Sequence, residues 1–143
     1  MAVVDTTAGF RYAGKLGNPS APPTVQTFYF KDTETLYKGD LVNVESGEVD
    51  LAATGDTAII GVAMETKAGT DSTTQIQVII DPDAVYAVYD ANARTVGTLL
   101  DLTGSAGAQT VTTSSNGNFV VVANSAADEL TQVMLTAAAH PLK

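Results

Sequence analysis

The sequence predicts an all-β protein: a single compact antiparallel barrel or sandwich of short strands, with little helix and an extended N-terminal arm. Three observations predict it. Thr57 to Asp90 contains runs with a period of two, which is the period of half-buried strands. The apolar residues in those runs are largely β-branched, which suits a pleated surface better than a helix. Turn signals recur at close spacing along the chain, with Ser46-Gly47 and Asn116-Gly117 as the sharpest.

In order, residues 1–26 are rich in Ala, Gly, Pro, Thr and Ser, punctuated by Gly14, Gly17, Asn18, Pro19, Pro22 and Pro23, and they show neither helical nor strand period. They read as the arm. Either it packs over its own barrel or is disordered, or it orders on a partner with Phe10 and Tyr12 as anchors. Residues 27–137 read as the β-rich body and 138–143 as a loose tail. Val25 to Lys31 reads as a strand, with Val25, Thr27, Tyr29 and Lys31 alternating with Gln26, Phe28 and Phe30. Lys38-Gly39-Asp40 is a turn, Leu41 to Glu45 a strand, and Ser46-Gly47 a hairpin turn before the return strand Glu48 to Leu51.

The stretch from Thr57 to Asp90 is taken as the centre of the fold. Ala58, Ile60, Val62 and Met64 are expected on one face, and Ile76, Val78 and Ile80 on another, opposite Gln75 and Gln77. Lys67 to Ser72 is short enough to be a hairpin connection. Pro82 cannot donate to a ladder and marks a break or an edge before Ala84 to Tyr89. Asp90 to Arg94 reads as one helical turn capped by Asp90. Strands are expected at Val96 to Leu102, Gln109 to Thr113 and Asn118 to Ala123, the last two joined as a hairpin through Asn116-Gly117. Ser125 to Asp128 reads as a capped turn, and Leu130 to Thr136 as the final strand.

Composition narrows the function. With 143 residues the chain is one domain with a sizeable core, and with no cysteine it has no disulfide, thiolate metal site or cysteine nucleophile. No apolar run approaches the length of a membrane span, and the N-terminus lacks the pattern of a signal peptide, so no membrane partner is expected. The net charge is −9. Residues 1–31 hold three basic residues and one acid, whereas the remainder holds four basic residues and fifteen acids. Such a body repels phosphate backbones, so no nucleic acid partner is expected. The arm side is slightly cationic and suits an acidic partner.

Catalytic signatures are missing. The sole histidine, His140, stands beside a proline three residues from the end, a poor setting for a positioned base. There is no P-loop, dinucleotide fingerprint or H-E-x-x-H. Asp81-Pro82-Asp83, with Asp71 in the neighbouring loop, reads as a solvated turn, since a calcium site would need several further oxygens that cannot be named. Tyr86 and Tyr89 read as core and rim rather than a sugar platform. The chain is therefore read as a non-enzyme with no cofactor and no metal.

Leu36-Tyr37-Lys38-Gly39-Asp40-Leu41-Val42, then Ser46-Gly47, Gly55, Ala58-Ile59-Ile60-Gly61-Val62-Ala63, the Thr-rich link Thr70 to Thr74 and the run from Ile76 to Tyr86 follow one another in a familiar order. In this the sequence resembles bacteriophage head-decoration, or capsid cement, proteins of the lambda-like kind. The resemblance implies a homotrimer on the outside of the virion capsid at three-fold or quasi-three-fold sites. It also implies an arm that orders on the major capsid protein, and reinforcement of the expanded shell against DNA pressure. The residues it would commit to capsid contact are Phe10, Arg11, Tyr12, Lys15, Val25, Phe28 and Phe30. The alternative from another class is a carbohydrate- or surface-binding β-module of a phage fibre or secreted protein.

Overall fold

A computed structural model describes residues 9–31, 33–69, 73–114, 116–125 and 129–143. The expected all-β class is what forms: thirteen strands and no helix among those residues. Five strands close into a barrel in the order β2 (Val25–Phe30), β5 (Glu48–Leu51), β4 (Leu41–Glu45), β6 (Ile59–Ala63) and β8 (Gln75–Ile79). A ribbon of β3 (Thr35–Leu36) and β7 (Lys67–Ala68) adjoins it. Six further strands form a second sheet in the order β1 (Phe10–Lys15), β9 (Ala84–Tyr89), β13 (Leu130–Leu135), β12 (Phe119–Ser125), β10 (Leu99–Thr103) and β11 (Thr110–Thr113).

The barrel departs from a purely antiparallel pattern at one seam. The β2–β8, β8–β6, β6–β4 and β4–β5 pairs are antiparallel, and β2–β5 is parallel. A ring with an odd number of strands cannot alternate direction all the way round, so one pair must be parallel. The β4–β5 turn is as read: Ser46 and Gly47 both have positive φ, at 53° and 81°, and the twist of such a turn matches that of the flanking strands.

The central stretch feeds both sheets rather than one. Strands β6 and β8 line the barrel; after the break at Asp81-Pro82-Asp83 the chain crosses to the second sheet as β9. Along β8 the expected alternation holds, with Ile76 and Val78 buried and Gln75 and Gln77 exposed. Along β6 it does not. Val42 pairs with Gly61 but the next residue, Asn43, pairs with Ile59, so an extra residue bulges out of β6. The bulge resets the parity: Ile60 and Ala63 join the barrel core, while Ile59 and Val62 face the second sheet. Every residue of β6 is consequently buried.

Two cores result. The barrel interior holds Phe30, Val42, Val49, Ile60, Ile76 and Val78, with Leu36 of the ribbon packed among them. The larger core joins the outer wall of the barrel (Leu41, Ile59, Val62, Ile79) to the inner face of the second sheet, which supplies Tyr86, Val88, Leu100, Val121 and Val133 among others, with Phe10 stacked on Phe119 at 5.2 Å. Burying each such side chain stabilises the fold by about 1.5–3 kcal/mol, and these contacts bind the two modules together. Gln109 reinforces the junction. It is fully buried, its amide donates to the Ala52 carbonyl (3.0 Å), and its side-chain oxygen accepts from the Leu41 amide (2.6 Å).

Three expectations after residue 90 change. Asp90 caps no helix; it is buried, and its carboxylate accepts from Arg94, the Asn92 amide and the Thr131 hydroxyl. Asn116-Gly117 joins no hairpin, because β10 lies between β11 and β12. The loop is instead wrapped around the buried Asp101, whose carboxylate accepts from the amides of Asn116 (3.0 Å) and Gly117 (2.7 Å) and from the Ser114 hydroxyl (3.1 Å). The tail is not loose: Ala139 and His140 are buried. Of the expected turn at Ser125 to Asp128, Ser125 ends β12 and the rest lies outside the described residues; of the link Lys67 to Ser72, Lys67 and Ala68 form β7 paired with β3, and Thr70 to Ser72 lie outside them.

Candidate functional site

The segment expected to be an arm is tied to the body by identifiable bonds. Phe10 to Tyr12 pair with Val88 to Tyr86, making β1 an edge strand of the second sheet. The polar and glycine-rich composition hides this strand, because a bulge falls between Tyr12 and Lys15 and breaks the period. Gly14 makes the bulge possible: its φ is +114°, and a Cβ there would lie 2.6 Å from Pro19 Cα. The following loop folds back on β1, with the Tyr12 hydroxyl donating to the Ala21 carbonyl at 2.8 Å.

Asp81 is the electrostatic anchor of that loop. The Lys15 ammonium lies 3.1 Å from one carboxylate oxygen, and the Thr24 amide donates to the other at 2.6 Å. Burial opposes ionisation, but these hydrogen bonds together outweigh it and hold the carboxyl below the usual carboxylate range. The same contact raises Lys15 above its ordinary value. Asp81 therefore works as a structural clasp. Asp71, its neighbour in the acidic-cluster reading, lies outside the described residues.

The seven residues assigned to partner contact fall into two groups. Phe10 is 1% exposed and Phe30 0%, so both belong to the cores and present no surface. Their burial follows from chain geometry: β1 and β2 both turn an aromatic inward. Arg11, Tyr12, Lys15 and Phe28 are half-buried, and Val25 is exposed. Tyr29, which is not among the seven, is 46% exposed on the outer face of β2 with Val25 and Thr27. The alternation in Val25 to Lys31 had already placed it opposite Phe28 and Phe30, so the signal was present.

Beside β1 a groove of about 610 Å³ runs between the second sheet and the barrel wall. Tyr12, Pro23 and Met64 supply apolar lining, and Arg11 and Lys38 carry positive charge there. Its volume falls within the range of small-molecule sites. Among the described residues no group of three or more metal-ligating side chains occurs. His140 is buried rather than presented to a cleft, and Tyr86, considered for a sugar platform, is 1% exposed. Burial pushes the Tyr86 hydroxyl far up from its ordinary pKa, so it stays protonated.

No protein-family profile and no curated protein matches the sequence. Among solved structures, the chain is similar to the N base of the head fiber gp8.5 of bacteriophage phi29. The TM-score is 0.50 at 20% identity, over 81% of this chain and 98% of the other. At that identity the likeness establishes a shared fold, and the sequence resemblance to lambda-like decoration proteins is not confirmed by it.

Proposed function

We propose that this chain is a structural protein of a phage virion that attaches to the outside of the head. The observation that carries the reading is the fold it shares with a head-fibre base, over nearly the whole of that module. The sequence resemblance to decoration proteins points to the same class of particle. The acidic body and more cationic N-terminal side suit a protein that docks by one face and keeps the other in water.

In this reading the chain forms a homotrimer at three-fold or quasi-three-fold positions, contacts the major capsid protein and reinforces the shell against internal DNA pressure. The contact surface consists of Val25 and Tyr29 on β2 together with Arg11, Tyr12 and Lys15 on β1; Phe28, on the opposite face of β2, packs against the barrel interior. Phe10 and Phe30 hold that surface in place from within. Three copies on one trimer would multiply weak contacts through effective concentration.

The test is co-sedimentation of the purified protein with expanded heads of the phage that carries its gene, prepared without it. Saturable binding is expected, and a Val25→Asp/Tyr29→Asp variant, altered only at exposed positions, should lose at least about tenfold in affinity. Failure of the unaltered protein to bind heads overturns the proposal. Light scattering of the free protein and imaging of decorated heads test the trimer, and a monomer in both settings removes that part.

A further inference from the structure

The C-terminal turn completes the junction between the two β-modules. Strand β6 pairs with β8 only at Val62 and Ala63, so the amide of Ile59 lies beyond that ladder. It donates instead to the carbonyl of Ala139 at 2.9 Å, and Ala139 is part of the larger core. The turn is held in shape by the Ala139 and His140 amides, both donating to the Thr136 carbonyl. It is closed by the Leu142 amide, which donates to His140 Nδ1 at 3.0 Å.

That last bond settles the state of the ring. Nδ1 accepts a proton donor, so the neutral ring carries its hydrogen on Nε2. Nε2 is buried and has no hydrogen-bond partner. The backbone of Ile60 from β6 and of Ile80 after β8 faces the ring and favours a proton, but burial and the Lys143 ammonium oppose a positive charge more strongly. Lys143 itself donates to the Leu135 carbonyl at 3.1 Å, and its charge is supported by Asp83. A second proton on the ring would set an Nδ1–H against the Leu142 N–H, donor against donor, and bury a cation beside another.

We propose that the C-terminal turn is a latch that acid opens: protonation of His140 breaks its bond from Leu142 and frees residues 139–143 from the seam between the barrel and the second sheet. The released ring reaches water and keeps its proton there. Ile59 loses its partner at the same step, so the event is read out on an amide in β6, far along the chain from the histidine. The folded ring binds its proton below the ordinary value of 6.5. The latch is therefore fully closed above that pH, and the opening equilibrium constant rises about tenfold per pH unit below it until the closed form also protonates.

Hydrogen exchange measured from pH 7 to pH 5, corrected for the intrinsic rate, tests this directly. The expected result is that protection of the Ile59 amide falls as the pH drops below about 6.5, by at most about tenfold per unit, while the amides of β8 stay protected. A His140→Phe variant, which fills the site and cannot titrate, should show no such slope. Unchanged Ile59 protection in the native protein, or the same slope in the variant, overturns the latch. Should the variant fail to fold, the imidazole of the native protein decides, since it is the sole histidine. Its resonances should report an Nε2–H tautomer at neutral pH, and their titration should coincide with loss of Ile59 protection. Titration without any change at Ile59 overturns the proposal.

Discussion

At the scale of single residues, several positions are fixed by close approach or by buried polarity. Gly61 sits in the β6 bulge, and a Cβ there would lie 1.6 Å from the Ile79 carbonyl oxygen. That neighbour is backbone within a paired strand and cannot move aside without opening the barrel. Gly61→Ala should destabilise the protein by about 3 kcal/mol, measured by urea denaturation. Asp101 is 2% exposed and supplies acceptors to the amides of Asn116 and Gly117. Asp101→Ala would strand both donors and should cost about 2–4 kcal/mol, whereas Asp101→Asn keeps one acceptor oxygen and should cost less. Neither role is legible in sequence, because Asp101 falls inside an apolar strand and its partners come from a loop thirteen or more residues away.

At the scale of elements, the N-terminal segment is the instructive case. Its composition reads as an unstructured arm, yet β1 completes the second sheet and Phe10 enters the core. Phe10→Ala should therefore cost about 3–5 kcal/mol in stability, a loss that a residue on a free arm would not show. Removing residues 1–24 would strip the same strand and is unsuited to testing capsid attachment alone. The loop after β1 depends on the Asp81 clasp. Because the folded carboxyl titrates below its ordinary 3.8, the clasp contributes stability that is complete above that pH. It is lost as the pH falls through the lower folded value. Exchange of the Thr24 amide should be slow at neutral pH and accelerate, beyond its intrinsic rate, below about pH 3.8; Asp81→Asn should remove that dependence.

At the scale of the whole molecule, two β-modules share one core, and buried polar groups reinforce the join. Gln109 bonds to Leu41 and Ala52 of the barrel side, and its own carbonyl accepts from Gly9 at the start of β1. Gln109→Ala should cost about 2–3 kcal/mol by leaving a buried donor and acceptor unpaired. Thermal unfolding should still be a single transition, since the larger core spans both modules. A joined body of this kind suits the attachment role proposed above, because Phe10 of β1 and Phe30 of β2 are each anchored in a core.

The all-β class, the β4–β5 turn and the alternation of β8 were determined by local chemistry. Period-two burial, β-branched side chains and positive-φ turn residues act over a few neighbours, so they can be read directly along the chain. The partition into two sheets, the placing of β10 between β11 and β12, and the parallel β2–β5 seam were decided only by the tertiary structure. So was the split of contact candidates, with Val25 exposed on the outer face of β2, Phe28 half-buried against the barrel interior, and Phe10 and Phe30 sunk into cores. Each of these depends on which distant strand supplies the hydrogen bonds and the opposing apolar face. A single bulge at Ile60 and Gly61 was enough to send neighbouring residues to different cores, and no local pattern announces a residue whose partner is chosen across the fold.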